Sequence, residues 1–423
     1  MANTSSMDTS AKSGISQLIR SLGPGIMMAA AAVGGSHLVA STKAGAIYGW
    51  QLAALILLVN LFKYPFFRAG VQYTMGTGDS LIQGYASLGR GYLWIFTVLT
   101  VISGIINTAA LLLFSASLLG YFFPFELSSI ALCGLVLTTC IAILFAGHYR
   151  ALDSLSKIIM AVLTVATISA VIIAAGKGAV APAEFQAPSP WTLAAIGFIV
   201  VTMGWMPAPI EISCLTSMWL KSQRKKQTVT AQSALFDFNV GYVGTALLAL
   251  VFIALGALVL HGNGAELAAS GVGFSHQLVS MYASTIGEWS RYLIAVIAFF
   301  CIFGSTITVI DGYSRAIAES QRLLRRQEDE QPRVYQGWVI VTSLAAISII
   351  AFFAKALMPM LNFAMIMAFM TTPVFALLNY ILVTRANLPD ELKLSQKMKA
   401  LSIAGLIYLF GFLALFIWWK WLL

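Results

Sequence analysis

The feature that most constrains this chain is the recurrence of long apolar windows along nearly its whole length. Each window holds roughly 18 to 25 mostly apolar residues, enough for a helix to cross the hydrocarbon core of a bilayer. Backbone amides in lipid must be paired within their own segment, so such windows form helices. The sequence predicts eleven spans, at about residues 23–47, 50–70, 91–122, 128–147, 155–176, 191–220, 233–260, 290–315, 336–354, 358–384 and 400–422.

Composition and charge agree with an integral membrane protein. The 423 residues are 59% hydrophobic and only 10% charged, with a mean hydropathy of +0.86, a balance that soluble domains do not reach. With the N-terminus placed in the cytoplasm, most Lys and Arg residues, Lys63 included, fall on the cytoplasmic side. The outer ends keep Lys43, Lys177, Arg291, Lys355 and Lys420. This bias predicts a cytoplasmic N-terminus and an outer C-terminus, and it explains the net charge without a nucleic-acid partner.

The motifs of several other function classes are missing from the sequence. It contains no His-x-x-x-His, Gly-x-Ser-x-Gly or phosphate-loop pattern, so we expect neither an enzyme nor a cofactor. No polar connection is long enough to form the output domain of a sensor. All cysteines lie in apolar stretches, where they are expected to pack and not to form disulfides or a zinc site.

Two spans carry helix-breaking residues at corresponding positions. The first contains "AAVGGSHLVAS" (residues 31–41), where two consecutive glycines permit an unwound backbone. The sixth contains "VTMGWMPAPIEISCLTS" (residues 201–217), where Pro207 and Pro209 each remove a backbone donor. A single interruption in a membrane helix often marks only packing or a kink. Two interruptions that each open a set of five spans indicate an inverted-repeat secondary transporter, with its substrate between the half-helix ends.

This organisation predicts four segments. They are a cytoplasmic N-terminal segment (1–22), a first five-helix repeat (23–176), a second five-helix repeat (177–384), and a cytoplasmic loop with an eleventh transmembrane helix (385–423).

Three stretches resemble the NRAMP family of divalent-metal transporters. They are "GPGIMMAAAAVGGSHLVASTKAGAIYGW" in the first span, "MPAPIEISCLTS" in the sixth and "GSTIT" in the eighth. The resemblance extends over most of the membrane region. It implies an all-α polytopic membrane protein with the LeuT-type fold, two inverted five-helix repeats plus an eleventh helix, located in a bacterial inner membrane.

The residues at the family's metal-binding motifs differ in this chain. In the first span, the family's Asp-Pro-Gly-Asn is replaced by Gly34, Gly35, Ser36 and His37. In the sixth span, the family's Met-Pro-His-Asn is replaced by Met206, Pro207, Ala208 and Pro209. The acidic ligand is therefore missing, and the Met206 thioether is the one family ligand that is unchanged.

The third span differs in the same way. The family's Asp-x-x-Glu, which lies on its proton route, aligns with Val101 and Gly104 in "VISGIINTA". Neither residue can titrate, whereas proton transfer through an apolar medium needs a group that interconverts between charge states. We therefore expect that transport is not coupled to protons by the family's usual route.

The candidate substrate-binding residues lie at the two breaks. They are Gly34, Gly35, Ser36, His37, Met206, Ala208 and Glu211. Imidazole and thioether are ligands for softer metal ions, so His37 and Met206 are also candidate metal ligands. The alternative for His37 is a hydrogen-bonded packing role. His37→Ala is expected to abolish substrate binding and to leave folding nearly normal, because a polar group beside a cavity contributes little to core stability.

Further polar residues at membrane depth are candidates for a proton or ion pathway. They are Glu211, Asp237, Ser305, Thr306 and Asp311. Each has a structural alternative. Asp311 can pair with Arg315 at i+4, Asp237 can cap packing near the interface, and hydroxyls in membrane helices often bond to their own backbone.

Two transport functions remain open. Resemblance favours a divalent metal cation moved by alternating access through a rebuilt midplane site. Small residues at the breaks instead leave room for an organic solute such as an amine or amino acid, and half-helix termini can bind a carboxylate. The expected partners are this cation or solute and the lipid bilayer. The oligomeric state is left open.

Overall fold

The computed structural model describes residues 22–125, 127–147, 149–182, 184–264, 268, 270–329, 331–353 and 356–422. The predicted cytoplasmic N-terminal segment lies outside these residues except for its last position. Within them, the chain forms α-, π- and 3₁₀-helices and no β-strand.

The helices of the first half follow the predicted windows. They are α1 (Pro24–Ala32), a π-helix (Ser36–Ser41), α2 (Thr42–Tyr48), α3 (Ala53–Thr77), α4 (Leu81–Leu88), α5 (Arg90–Gly120), α6 (Ser129–Phe145) and α7 (Tyr149–Lys177).

The second half of the chain also consists of long helices and one interrupted pair. They are α8 (Ile196–Gly204), α9 (Ile212–Arg224), α10 (Ala231–Val259), α11 (Gly271–Ile286), α12 (Arg291–Leu324), α13 (Pro332–Phe353), α14 (Leu357–Arg385) and α15 (Gln396–Trp421).

Each of the eleven predicted windows contains one of these helices or an interrupted pair. In the described part of the chain, eight helices are long and apolar enough to cross a membrane, and the bent pair formed by α1 with the π-helix and α2 is a ninth. The remaining two windows hold the shorter apolar α6 and the interrupted pair α8 and α9. The all-α polytopic class is therefore confirmed.

Two helices, α4 and α11, lie between the windows and were not predicted. The first begins with a reciprocal capping box, in which Ser80 and Gln83 each bond the other's backbone amide. Both helices are shorter than a span. The eighth window also ended too early, because α12 continues to Leu324 through Arg, Glu and Gln residues, which are good helix formers outside lipid.

Burial separates an inner layer of helices from an outer one. The most apolar stretches of α12 and α5 are 72% and 67% buried, whereas those of α13 and α15 are only 28% and 22% buried. The outer helices present side chains such as Leu344 and Ile407 away from the protein. Such surfaces suit contact with lipid chains, and the buried polar groups of the inner layer are kept apart from them.

Helix α10 holds both halves of the first span by close backbone contact. A Cβ on Gly25 would lie 2.3 Å from the carbonyl oxygen of Asp237, and one on Gly241 would lie 2.2 Å from that of Gly25. The same arrangement recurs at the other end, where Gly45 and Gly256 face each other. Small residues let membrane helices approach this closely, so α10 holds the two halves of the first span in place on either side of the break.

Candidate functional site

Both predicted helix breaks are present, and they lie against each other. The first span is bent by 45° between Ala32 and Ser36, and the sixth is non-helical between α8 and α9. The indole of Trp205, the first residue after α8, covers Gly35, where a Cβ would lie 2.5 Å from a ring carbon. The prediction of two discontinuous helices with neighbouring breaks is thus confirmed.

His37 is locked into the first break by hydrogen bonds from both ring nitrogens. Its Nε2 lies 2.9 Å from the carbonyl oxygen of Thr245 on α10, and must therefore carry a proton. Its Nδ1 lies 2.7 Å from the hydroxyl of Ser36 and 3.3 Å from the carbonyl oxygen of Ala32, to which that hydroxyl also donates at 2.5 Å. The ring is fully buried. The premise that the ring lies beside a cavity is therefore wrong, and with it the reason to expect nearly normal folding of His37→Ala.

Glu211, the residue before α9, belongs to a buried network that links three helices. Its Oε1 accepts a hydrogen bond from the Tyr313 hydroxyl on α12 at 2.9 Å. The Asn107 amide on α5 donates to that hydroxyl at 3.1 Å, and its carbonyl oxygen accepts from the Trp205 indole at 2.9 Å. The other carboxylate oxygen, Oε2, is buried and has no hydrogen-bond partner among the described residues. The network fixes the second break to the inner layer, and the Ser103 side chain on α5 lies near the same carboxyl group.

Sequence reasoning missed three members of this network, namely Asn107, Trp205 and Tyr313. The signal for the first was available, since an amide inside an apolar window is costly in lipid and marks a buried interaction. The two aromatic residues give no such signal, because tyrosine and tryptophan are common in membrane helices for packing and at interfaces.

Lys63 corrects the topology count, in which it appeared as a cytoplasmic charge. It lies in the middle of α3, is fully buried, and directs its ammonium at the break of the sixth span. The ammonium donates to the carbonyl oxygens of Met203, Gly204 and Ala208 at 2.8, 3.1 and 3.5 Å. In the sequence, Lys63 lies in the second half of an apolar window, a position that fits either a lysine at the membrane surface or one buried in the protein. Only the packing of α3 against the break shows that it is buried.

The remaining predicted site residues at the breaks are buried beside these groups. Met206 is fully buried. Ser305 approaches Gly34, where a Cβ would lie 2.7 Å from its hydroxyl oxygen, and that hydroxyl donates to the Cys301 carbonyl at 3.2 Å. Thr306 donates to the backbone carbonyls of Ile302 and Leu111. The backbone bonding considered for these hydroxyls is present, and their place in an ion pathway stays a prediction.

Asp237 caps the first half of the first span. Its carboxylate accepts hydrogen bonds from the backbone amides of Gly23, Gly25 and Ile26 at 3.0, 2.6 and 3.3 Å. These amides at the start of α1 have no helical partners of their own, and an anion also complements the positive end of the helix. The capping role considered for Asp237 is therefore present, and the capping carboxylate comes from α10, which is distant in sequence.

Asp237→Ala is expected to lower stability, since the loss of a cap and of acceptors for buried amides costs about 2–4 kcal/mol together. The thermal midpoint of the purified protein in detergent measures this. Asp390→Ala is the control, because that side chain is 94% exposed and bonded only to Lys393 nearby. Equal midpoints for the two variants would show that the cap contributes nothing.

Asp311, within α12, is held by two partners. The Arg315 guanidinium donates to its carboxylate at 2.8 and 2.9 Å, and the Tyr335 hydroxyl donates at 2.6 Å. The i+4 ion pair considered from the sequence is present. Its role in an ion pathway is untested, although the carboxylate borders the cavity described next.

A cavity of about 950 Å³ opens at one end of the bundle and stops short of the breaks. It is lined by the start of α1, by α9, by the end of α12 and by the start of α13. Leu215 borders the cavity and lies one helical turn after Glu211 of the buried network. Gly312 also borders it and directly precedes Tyr313 of the same network. His37, Met206 and Glu211 are at most 2% exposed. The structure thus has a vestibule on one side and a closed polar centre behind it.

Comparison with known proteins identifies both the family and the fold. Residues 25–419 match the model of the natural resistance-associated macrophage protein-like family. The uncharacterized protein PM0681 of Pasteurella multocida (strain Pm70) is 53% identical over 399 residues, covering 94% of this chain and 91% of that protein.

Solved transporter structures share the fold at low sequence identity. A histidine-to-alanine mutant of the Eremococcus coleocola manganese transporter aligns with a TM-score of 0.71 and 14% identity, covering 95% of this chain and 86% of that one. Mhp1, a nucleobase-cation-symport-1 family transporter, aligns with a TM-score of 0.61 and 12% identity, covering 94% and 92%. The LeuT-type fold implied by the sequence resemblance is confirmed.

Proposed function

The chain belongs to the natural resistance-associated macrophage protein-like family, as its sequence resemblance implied, and from that premise we propose that it is a secondary transporter working by alternating access. It is a transporter and not an enzyme in this proposal. The predicted orientation, with a cytoplasmic N-terminus in a bacterial inner membrane, would make the vestibule cytoplasmic, since the basic loop after α9 lies at that end.

The observation that carries the proposal is the meeting of two interrupted helices behind a one-sided vestibule. Half-helix ends expose backbone donors and acceptors at membrane depth, which suits substrate binding. The polar centre is sealed while the vestibule is open on one side. A rocking of the helices that carry the breaks, against the rest of the inner layer, would expose the same centre to the other side.

A divalent metal cation is the first substrate candidate. It is supported by family membership and by the likeness to the manganese transporter of Eremococcus coleocola. The Met206 thioether at the second break can serve as a soft ligand, with backbone carbonyls of the unwound segments as further donors.

A small organic solute, such as an amine or amino acid, is the second candidate and has its own support. In the described part of the chain, no group of three or more His, Cys, Asp and Glu residues is placed to hold a metal ion. Both nitrogens of His37 are engaged within the protein, and the Lys63 ammonium occupies carbonyls of the second break. A solute that brings its own charged group depends less on acidic ligands than a bare cation does.

Uptake into proteoliposomes tests the transport proposal, and Met206→Ala distinguishes its two substrates. Radiolabelled Mn²⁺ and radiolabelled amino acids and amines are offered in parallel. If a metal is carried, loss of the thioether is expected to reduce Mn²⁺ uptake about tenfold or more, because a coordinating group is removed. If an organic solute is carried, its uptake should change by less than about threefold, as for the loss of one apolar contact.

The matched control is Met281→Ala, which removes another buried methionine, on α11. It should leave uptake of either substrate close to that of the wild type. Uptake of every probe at the level of empty liposomes, by a protein that is folded, would contradict the proposed transport of these substrates.

A further inference from the structure

The break in the sixth span leaves carbonyl oxygens without helical partners at membrane depth. Helix α8 ends at Gly204. The Met203 carbonyl accepts only the amides of the turn that follows, from Met206 at 3.4 Å, and no backbone amide of the described residues bonds the Gly204 or Ala208 carbonyl across the break. Pro207 and Pro209 have no backbone N–H to supply one. In an aqueous loop these oxygens would bind water. Here they lie in the buried centre, where an unpaired carbonyl is costly.

The Lys63 ammonium binds this cluster of carbonyl oxygens. It has the number of donors and the positive charge that the cluster requires. An ammonium has three N–H donors and no acceptor, and three carbonyl oxygens surround it, from Met203, Gly204 and Ala208. A neutral amine would direct its lone pair at one of them. The cluster also includes the C-terminal end of α8, where the helix dipole favours a cation. This is the environment that a bound monovalent cation would require.

We propose that Lys63 is a tethered cation. Its ammonium fills a cation site formed by the carbonyls of Met203, Gly204 and Ala208, so that this site is occupied permanently by the protein and not by a free ion. Helix α3, which is continuous and packs against both α9 and α14, delivers the charge to the break.

A packing role alone does not explain this placement. A fully buried lysine is rare unless it is paired, and an apolar side chain of similar length would fill the same space without a desolvation cost. The carboxyl group of Glu211 is near enough to act on the ammonium electrostatically. The carbonyls that Lys63 binds therefore explain the choice of lysine.

The tethered cation also bears on the substrate class, a step that rests on the proposed transport function. A free divalent cation bound at the same break would lie close to a fixed positive charge. A solute that carries a carboxylate would instead be attracted by it. The inference therefore favours the organic candidate, and among organic solutes it favours those with an acidic group, such as amino acids, over simple amines.

Removing the ammonium and returning it as a free cation tests the proposal. Wild type, Lys63→Ala and Lys63→Met are purified in detergent with choline chloride as the only salt, because choline is too large for the cluster. Thermal midpoints are then measured as methylammonium chloride or KCl replaces choline chloride at constant ionic strength. Lys43→Ala is the matched control, since that lysine lies in the first span, and not the second, and has its ammonium over the ring of Phe198.

The two neutral variants are expected to respond differently. Lys63→Ala should have a lower midpoint than wild type in choline, and methylammonium should restore at least half of the loss in a saturable manner, since only ligands of the folded state raise stability. Lys63→Met should be destabilised without rescue, because its side chain fills the space. The thermal midpoints of wild type and of Lys43→Ala should be the same in choline, methylammonium and potassium chloride.

Two results would overturn the proposal. One is a Lys63→Ala protein that responds to neither methylammonium nor K⁺. The other is a Lys63→Met protein as stable as wild type. If Lys63→Ala does not fold, Lys63→Arg is compared with Lys63→Met, and the proposal requires the charged variant to be the more stable. None of these readouts involves uptake, so a failure of the transport proposal leaves this test unaffected.

Discussion

His37→Ala is expected to reduce substrate uptake to the level of empty liposomes and also to destabilise the protein. The ring joins the break of the first span to α10 through the Thr245 carbonyl, and its Nδ1 lies within hydrogen-bond distance of the Ser36 hydroxyl. Its removal leaves buried polar groups unpaired and opens a cavity, which together cost about 2–5 kcal/mol. Uptake in proteoliposomes and the thermal midpoint in detergent measure the two effects.

His261→Ala is the matched control for this variant. That ring also bonds a backbone carbonyl of the first span, that of Ala46, at 3.0 Å, but this bond lies near the C-terminal end of α2 and the ring is only partly buried. It should retain uptake within about twofold of wild type, as expected for a partly exposed hydrogen bond. Wild-type uptake by a destabilised His37→Ala protein would place the substrate elsewhere and leave the histidine a structural role only.

Glu211→Gln is expected to lose uptake driven by a proton gradient by about tenfold or more, because carboxylates at membrane depth serve as proton relays. Exchange of labelled for unlabelled substrate without a gradient should be reduced less. The amide can still accept the hydrogen bond from Tyr313, so the geometry of the break is preserved. Proton-driven uptake that survives this substitution would exclude Glu211 as the carrier.

The same variant tests the charge balance at the second break. Without the Glu211 carboxylate, the buried Lys63 ammonium keeps its carbonyl partners but loses a nearby negative charge, and the thermal midpoint is expected to fall. In the double variant Lys63→Met/Glu211→Gln the loss should be smaller than the sum of the two single losses, as for interacting residues. Glu319→Gln is the control, since its carboxylate pairs with Arg322 at the end of α12 and away from the break. Additive losses would show that the two charges do not interact.

Local sequence was sufficient for the elements that depend on hydropathy and helix breaking. The eleven windows and the two interruptions are properties of short stretches, because lipid admits only helices and because glycine and proline act on their own backbone. The family resemblance likewise rests on short motifs. Window ends were less well predicted, as the extension of α12 to Leu324 illustrates, because charged helix formers continue a helix beyond the lipid.

The roles of the charged and polar side chains were decided only by the tertiary structure. Asp237 caps α1 from more than 200 residues away in sequence, and Lys63 reaches carbonyls about 140 residues away, so nothing in their own neighbourhoods specifies those partners. Hydropathy is a sum over adjacent residues, whereas a hydrogen bond depends on where two helices are brought together. The sequence by itself determined that this chain crosses the membrane and where its helices break. Packing of α3 and α10 against those breaks decided which charges occupy them.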